Sequence, residues 1–197
     1  MSATAARFGA AFSFALFALF AAPGLVRAAA ANEIEAHVER QGEFIACDAS
    51  VLMQVDPRIA WDVLSDYDGL ARFIPDMKTS RVVSRDGNRA LVEQKGEFGF
   101  FFYRQAVDVT LEVLEQPPLR IDAHRIAGNI KDLETRYELK VSDAGVKLTY
   151  TGRFIPDFSV PPLFGMPMVR RVIERRFRAM VEEIERRDAL ARSASKP

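Results

Sequence analysis

The sequence predicts an α+β fold, in which one twisted antiparallel sheet of about seven strands packs around a long C-terminal helix, with short helices after the first strand. Two observations lead to this prediction. Apolar and polar residues alternate through most of residues 77–154, as they do in antiparallel strands with one buried face and one wet face. Residues 168–190 instead repeat their apolar side chains at helical spacing. The sheet face and the helix stripe can therefore bury each other in a single two-layer domain.

Residues 1–30 are predicted to be an export signal outside this domain. Arg7 precedes a charge-free stretch, residues 8–26, and the alanines at 28–31 offer the small side chains that a cleavage site requires. The mature protein would then be periplasmic. The alternative is an uncleaved N-terminal anchor, since the uncharged stretch is almost long enough to span a membrane. We expect the domain to occupy residues 31–192 and to be followed by a disordered tail, residues 193–197.

Most of the mature chain is predicted to form strands. Alternation begins with a hairpin around Gly42, pauses for the short helices, and then resumes between clusters of turn residues. A pair of prolines, Pro117 and Pro118, ends the longest run. The alternating runs are residues 34–39, 44–55, 82–83, 90–98, 101–113, 119–123, 133–141 and 146–154.

The short helices are predicted to follow the first hairpin. Asp56 and Pro57 form a helix start, because an Asp side chain caps free backbone N–H groups and Pro suits the first helical position. An apolar stripe over residues 59–64 ends before Gly69, and residues 70–74 can form one more turn. These segments would close one end of the sheet.

The terminal helix is predicted to cover residues 168–190, and prolines lie just before it. Its apolar stripe consists of Val169, Val172, Ile173, Phe177, Met180, Val181 and Ile184. Charged residues on the opposite face are expected to meet water, with Glu174–Arg178 and Glu183–Arg187 spaced for mutual support. That face comprises Arg170, Arg171, Glu174, Arg175, Arg178, Glu182, Glu183, Arg186 and Arg187.

Composition limits the classes of function. Without Arg7 and Arg27 of the leader, 25 basic residues face 27 acidic ones, so the mature domain has a net charge near −2. We therefore expect no nucleic-acid partner. Cys47 is the single cysteine, which leaves no internal disulfide, and its position among alternating apolar residues predicts a core side chain.

One stretch carries a family resemblance. Residues 51–75 read VLMQVDPRIAWDVLSDYDGLARFIP, in which Trp-Asp-x-Leu-x-Asp-Tyr is followed by Phe-Ile-Pro. This signature resembles the opening of the START-like (SRPBCC) helix-grip superfamily, most closely the branch of polyketide cyclase/dehydrase-like and coenzyme Q-binding proteins. The resemblance covers about residues 44–190 and implies an elongated apolar cavity for lipids, quinones, hormones or polyketides. Periodicity alone predicts only that two apolar surfaces face each other.

Candidate ligand-binding residues share the apolar side of their strands or of the helix. The polar ones are informative, because a buried polar group without a partner costs about 1–3 kcal/mol, and a ligand head group or waters would supply that partner. Alternatively, these polar side chains hydrogen-bond to one another, or local bulges turn some of them outward. Ile126 breaks the alternation beside Arg125, so we expect a slip of the strand register there. The aromatic run of residues 100–103 could place two rings in the cavity or pack at the strand edge. The candidates are Gln94, Phe101, Tyr103, Gln105, Val107, Val109, Arg125, Thr135, Tyr137, Tyr150, Phe154, Val169, Ile173 and Phe177.

Residues 155–168 are predicted to form the mouth of the cavity and a contact with anionic membrane. Prolines and a glycine keep this segment out of regular structure, yet it is rich in large apolar side chains, and arginines follow it. The alternative is that the segment packs back on the sheet and the arginines are simply solvated. The candidate gate residues are Phe158, Leu163, Phe164 and Met166.

Motifs of enzymes are largely missing. His37 and His124, the two histidines, both fall on the charged side of their strands, and no metal-ligand spacing, phosphate loop or Gly-x-Ser-x-Gly occurs. We expect no metal and no cofactor. Acid-base work by a buried Tyr, Arg or Glu stays open.

We interpret the chain as an exported binding or transfer module for a hydrophobic small molecule, a lipid or an isoprenoid quinone. Two alternatives stay open: a cyclase/dehydrase-type enzyme on an aromatic or polyketide substrate, and a protein-interaction domain that uses the fold without a ligand.

Overall fold

The computed structural model describes residues 33–100, 103–158 and 165–195. In order, its elements are the strands β1 (Glu35–Gln41) and β2 (Phe44–Met53), the helix α1 (Pro57–Leu64), a 3-10 helix (Tyr67–Arg72), the strands β3 (Met77–Asp86), β4 (Arg89–Phe100), β5 (Tyr103–Gln116), β6 (Arg120–Gly128), β7 (Ile130–Ser142) and β8 (Gly145–Pro156), and the helix α2 (Gly165–Ala194). The predicted export signal and the predicted gate residues Leu163 and Phe164 lie outside these residues.

Within the described residues, eight strands form one antiparallel sheet in the order β1-β2-β8-β7-β6-β5-β4-β3. The sequence predicts about seven strands. The weakest prediction concerns β3, because a register shift between Val82 and Ser84 blurs the alternation there. The predicted slip near Arg125 is confirmed: Thr110 pairs with Ala127 and Leu111 with Arg125, so Ile126 is an extra residue in β6.

The core lies between one face of the sheet and the apolar stripe of α2. All seven stripe residues of the sequence prediction are buried, and Val169, Val172 and Ile184 are fully so. Cys47 belongs to this core, as expected. The α+β helix-grip prediction is therefore confirmed. No helix among the described residues is both long enough and apolar enough to cross a bilayer.

The first short helix begins as the sequence predicts. The Asp56 carboxylate accepts a 2.8 Å hydrogen bond from the backbone N–H of Arg58, and Pro57 is the first helical residue. In the 3-10 helix, the Asp66 carboxylate accepts from the N–H of Gly69 at 3.1 Å. Asp56 and Asp66 of the signature region therefore shape the chain where it leaves the sheet.

The C-terminal part of α2 is tied to these same loops. Asp188 accepts a 2.8 Å hydrogen bond from the backbone N–H of Asp56, and Arg187 donates to Asp66 at 2.8 Å. Arg192 also donates to the Gln54 carbonyl. The helix is thus fixed at the end that carries α1 and the 3-10 helix.

Two details of the charged helix face differ from the sequence prediction. Glu183 was expected to meet water but is 9% exposed, because Arg186 and Arg187 both donate to its carboxylate and replace water. The Glu183–Arg187 pair itself is confirmed. Glu174 pairs with Arg170 one turn earlier.

Candidate functional site

A cavity of about 220 Å³ lies between the sheet and α2. Its wall is mostly apolar, since β4 to β8 and α2 all turn aliphatic or aromatic side chains into it. The main apolar lining residues are Val92, Phe98, Val107, Val109, Leu111, Val113, Ile121, Leu133, Phe154, Ile173, Phe177 and Met180. Such a wall suits an apolar ligand, because transferring apolar surface out of water is favourable.

The short helices close one end of the cavity. Leu64, Leu70 and Ile74 line it there, together with Tyr67. The Tyr67 hydroxyl donates a 2.8 Å hydrogen bond to Glu115, which is 6% exposed. Burial and the neighbouring Glu115 carboxylate raise the pKa of Tyr67 well above its ordinary value, so this phenol stays protonated and acts as a donor.

Glu115 is paired with a cation on its other side. Arg85 donates to both of its carboxylate oxygens at 3.0 Å, and the Arg85 guanidinium carbon lies 5.7 Å from the centre of the Tyr67 ring. A buried carboxylate needs such partners because burial alone penalises its charge. This end of the cavity is therefore closed by a neutralised structural network.

Two tyrosines form a polar patch on the sheet wall. Tyr137 and Tyr150 stand directly opposite each other in β7 and β8, with ring centres 4.9 Å apart. Burial raises the pKa of both hydroxyls well above the ordinary tyrosine value, which keeps them protonated and able to donate. Together with Gln94, Lys95 and Thr135, they are polar residues that the sheet contributes to the cavity wall.

Gly152 makes room for the Tyr150 hydroxyl. A Cβ atom at position 152 would lie 2.6 Å from that hydroxyl oxygen and 3.1 Å from the Cys47 sulfur. The absence of a side chain therefore lets the tyrosine lie back over β8 beside Cys47. Burial is the main cause that raises the pKa of the Cys47 thiol to about 11, which keeps it uncharged at neutral pH.

Arg176 reaches the cavity from α2. Its Nη2 donates a 2.8 Å hydrogen bond to the Glu97 carbonyl on β4, and its Nε is buried without a hydrogen-bond partner among the described residues. Burial lowers the pKa of this guanidinium, although it remains a cation at neutral pH. The next residue, Arg175, pairs with Asp76 at the end of the loop before β3.

Most of the predicted ligand-binding residues lie in the cavity wall. They are Gln94, Val107, Val109, Thr135, Tyr137, Tyr150, Phe154, Ile173 and Phe177, and the predicted gate residue Phe158 lines the cavity as well. Phe158 packs on Phe98 with ring centres 5.8 Å apart. That these residues contact a ligand stays a prediction.

Three described candidates lie elsewhere. Val169 is fully buried in the core but does not line the cavity. Gln105 is half-buried opposite Phe98 and is likewise outside the wall. Arg125 is also outside the wall and donates to the Gly128 carbonyl at 2.9 Å, across the extra residue Ile126 that follows it.

The remaining candidates are only partly described. The side chains of Phe101 and Tyr103 lie outside the described part of the structure, as do Leu163 and Phe164. Met166, in the first turn of α2, is half-buried and packs against the core.

The sequence does not predict Arg176 as a cavity residue; it places Arg176 among the arginines after residues 155–168 that are expected to meet anionic membrane or, in the alternative, water. A signal was present: residue 176 lies three positions after Ile173 and four before Met180, both of which are on the apolar stripe. The side chain of an arginine at that spacing must either extend past its apolar neighbours to water or enter the cavity. Tyr67 is likewise not among the predicted ligand-binding residues, and it is both a buried hydrogen-bond donor and a lining residue.

The described residues contain no cluster of His, Cys, Asp and Glu that could hold a metal ion. Both histidines lie on the outward face of the sheet, where His124 approaches Glu112 at 3.3 Å and His37 approaches Glu39 at 3.6 Å.

Comparison with known proteins gives a family and a fold. Residues 53–184 match the family described as polyketide cyclase/dehydrase and lipid transport, in agreement with the resemblance of the signature region. No curated protein sequence matches the chain.

Solved structures of the same fold come from several bacteria. A STAR-related lipid transfer protein from Xanthomonas axonopodis is 13% identical, with a TM-score of 0.64 over 77% of this chain and 93% of that one. The Zhui aromatase/cyclase from a Streptomyces species is 15% identical, with a TM-score of 0.56 over 79% and 96%. A START superfamily protein from Mycobacterium smegmatis is 14% identical, with a TM-score of 0.57 over 74% and 98%. At these identities the likeness concerns the fold alone.

Proposed function

Because the chain belongs to the polyketide cyclase/dehydrase and lipid transport family, we propose that it binds a lipid or an isoprenoid quinone between the sheet and α2 and sequesters or transfers it. The observation that carries this proposal is the cavity of about 220 Å³ with its largely apolar wall. A well-packed domain of this size would fill such a space with side chains, since empty volume in a core forfeits contacts. A ligand that occupies the space restores those contacts.

A second candidate function is cyclase-type catalysis. It is favoured by Arg176, Tyr137 and Tyr150, which present donors in an apolar site where they could polarise a carbonyl group. Catalysis of this type also needs a proton acceptor. The described residues of the cavity wall include no carboxylate and no imidazole, so the wall supports binding better than acid-base chemistry.

The proposal places the protein in an exported compartment after removal of residues 1–30, with residues 155–168 touching anionic membrane during ligand exchange. Phe158 and Met166 are half-buried at the two ends of that segment, which supports a location beside the cavity. The charge available for membrane contact is smaller than the sequence suggests, because Arg175 pairs with Asp76 and Arg176 lies in the cavity wall.

Mass spectrometry of organic extracts from the purified protein tests the proposal. We expect a bound lipid or quinone in the wild type and much less of it in Ala123→Phe, which fills the cavity at a lining position. The matched control is Ala106→Phe, at an exposed position of the neighbouring strand β5. Transfer of the extracted compound between vesicles should likewise be similar for the wild type and Ala106→Phe and much slower for Ala123→Phe.

Each other outcome points to a different function. A polyketide-like or aromatic compound that the protein converts would favour the cyclase. If neither extract nor added lipid shows binding, and Ala123→Phe behaves like Ala106→Phe, the domain acts without a ligand and the binding proposal is wrong.

A further inference from the structure

Arg176 is a half-buried cation whose Nε is fully shielded from solvent. Among the described residues, none of the ion pairs involves Arg176, and Asp76, the nearest carboxylate that acts on its charge, already pairs with Arg175. Removing a charge from water is costly unless an opposite charge or sufficient hydrogen bonds replace the solvent. The single carbonyl of Glu97 meets only part of that need.

The guanidinium is also short of acceptors. Nη2 bonds to the Glu97 carbonyl, but Nε–H is buried and finds no acceptor among the described residues. Buried donors without partners are rare in native proteins, and each one calls for an explanation. An acceptor delivered by a ligand would explain this one, since the side chain forms part of the cavity wall.

Further donors surround the same position. Tyr137 and Tyr150 line the same cavity as Arg176, lie within reach of its electrostatic influence, and both stay protonated and uncharged. Two hydroxyl donors and one guanidinium, with no carboxylate in the described cavity wall, form a site that is complementary to a group with only acceptors.

We propose that the ligand is an amphiphile with a carboxylate head, and that this head binds Arg176 beside the hydroxyls of Tyr137 and Tyr150. A carboxylate is planar and compact, and it forms short, strong hydrogen bonds with a guanidinium. Its apolar tail would extend along the aliphatic wall toward Leu70 and Ile74. This inference rests on the proposed function, because it names the ligand class of the same cavity.

The structural alternative is that Arg176 only ties α2 to β4 through Glu97. The two interpretations differ in one observable. If Arg176 only links α2 to β4, the protein should bind acidic and neutral ligands with equal affinity. If Arg176 binds the head group, the protein should bind the acid more tightly.

Fluorescence titration with cis-parinaric acid and with its methyl ester measures this preference, because the two probes share the same tail. We expect the wild type to bind the acid about tenfold more tightly than the ester, or better. Arg176→Gln should lose that preference while its affinity for the ester stays the same, and Arg176→Lys should keep part of it. The control is Arg178→Gln, which changes an exposed arginine of the same helix and should behave like the wild type.

Equal binding of acid and ester by the wild type, or an undiminished preference in Arg176→Gln, would overturn the inference and leave the proposed function standing. Binding of neither probe by the wild type would overturn the inference as well, and the organic extract would then decide the proposed function separately. If circular dichroism shows that Arg176→Gln does not fold, Tyr150→Phe decides. We expect this variant to bind the acid severalfold more weakly and the ester with little change. Equal effects on the affinities for the two probes would contradict the inference.

Discussion

The Tyr67 hydroxyl donates a 2.8 Å hydrogen bond to Glu115, which joins the 3-10 helix to the end of β5 inside the protein. Hydrogen bonds to charged groups contribute about 1.5–3 kcal/mol. We therefore expect Tyr67→Phe to lower the free energy of unfolding in urea by about that amount. Arg85→Ala should cost more, because it leaves a buried carboxylate without its cation. A double-mutant cycle of Tyr67→Phe with Glu115→Gln that gives no coupling would contradict this account.

Phe177 lines the cavity, whereas Ile184, two turns later on the same stripe, is fully buried in the core away from it. Phe177→Ala should therefore enlarge the cavity and let the protein bind a bulkier tail. Ile184→Ala should cost about 2–5 kcal/mol in urea unfolding and leave ligand selection unchanged. Binding of a series of fatty acids with increasing tail branching separates the two variants. An unchanged series for Phe177→Ala would place the ligand elsewhere.

A methyl group at position 152 should displace the Tyr150 hydroxyl, which would lie only 2.6 Å from it. We expect Gly152→Ala to lose about 1–3 kcal/mol of stability, a loss typical of overpacking. Tyr150→Phe removes the clashing oxygen, so adding it to Gly152→Ala should recover part of the loss. Thermal unfolding of the two single variants and the double variant measures this. Additive losses would show that the hydroxyl is not what the methyl group meets.

Glu183 should make stability depend on pH in the acid range. Hydrogen bonds from Arg186 and Arg187 lower the pKa of this carboxyl to about 2 in the folded protein, against an ordinary value of 4.5. A lowered pKa gives stability that is complete above pH 4.5 and is lost as the pH falls toward 2, and for Glu183 it amounts to about 3 kcal/mol. Urea unfolding at several pH values should show this loss in the wild type. Glu183→Gln should be less stable at neutral pH and should lose less unfolding free energy than the wild type as the pH falls. If the stability of the two proteins falls in parallel with pH, the loss does not come from Glu183.

The elements of the fold were predictable from the sequence, because each strand carries its own alternation and α2 its own stripe. The strand count was less certain, since β3 contains a bulge that interrupts the alternation near Val82. The cavity itself could not be derived from periodicity, which shows that two surfaces face each other but not whether side chains fill the space between them. For that, the family resemblance of the signature region was needed.

The candidate site shows the same limit. Residues that share the parity of a regular strand, such as Thr135 and Tyr137, were placed correctly on the inner face. Arg125 shares that parity and pairs with Leu111, yet it does not line the cavity, because its side chain bonds to the Gly128 carbonyl at the end of β6, a local contact that alternation does not show. Arg176 was not predicted as a lining residue because arginine is usually exposed, even though its position is adjacent to the apolar stripe. Its place in the cavity wall is seen only in the structure, where it bonds to the Glu97 carbonyl.

The contacts at the two ends of α2 have a consequence for the kinetics of ligand exchange. Beyond Glu183, α2 is held to the loops around α1 by Arg187, Asp188 and Arg192. At the other end, Arg175 holds it to the loop before β3 and Arg176 holds it to β4. The sheet offers no easy exit between its strands, since each is hydrogen-bonded to the next. We therefore expect ligand exchange to move the first turns of α2 away from β4, because this movement breaks fewer of these contacts than a movement of the other end. The residence time of a ligand would then depend on the same arginine that selects its head group, so that affinity and release rate change together when residue 176 is replaced.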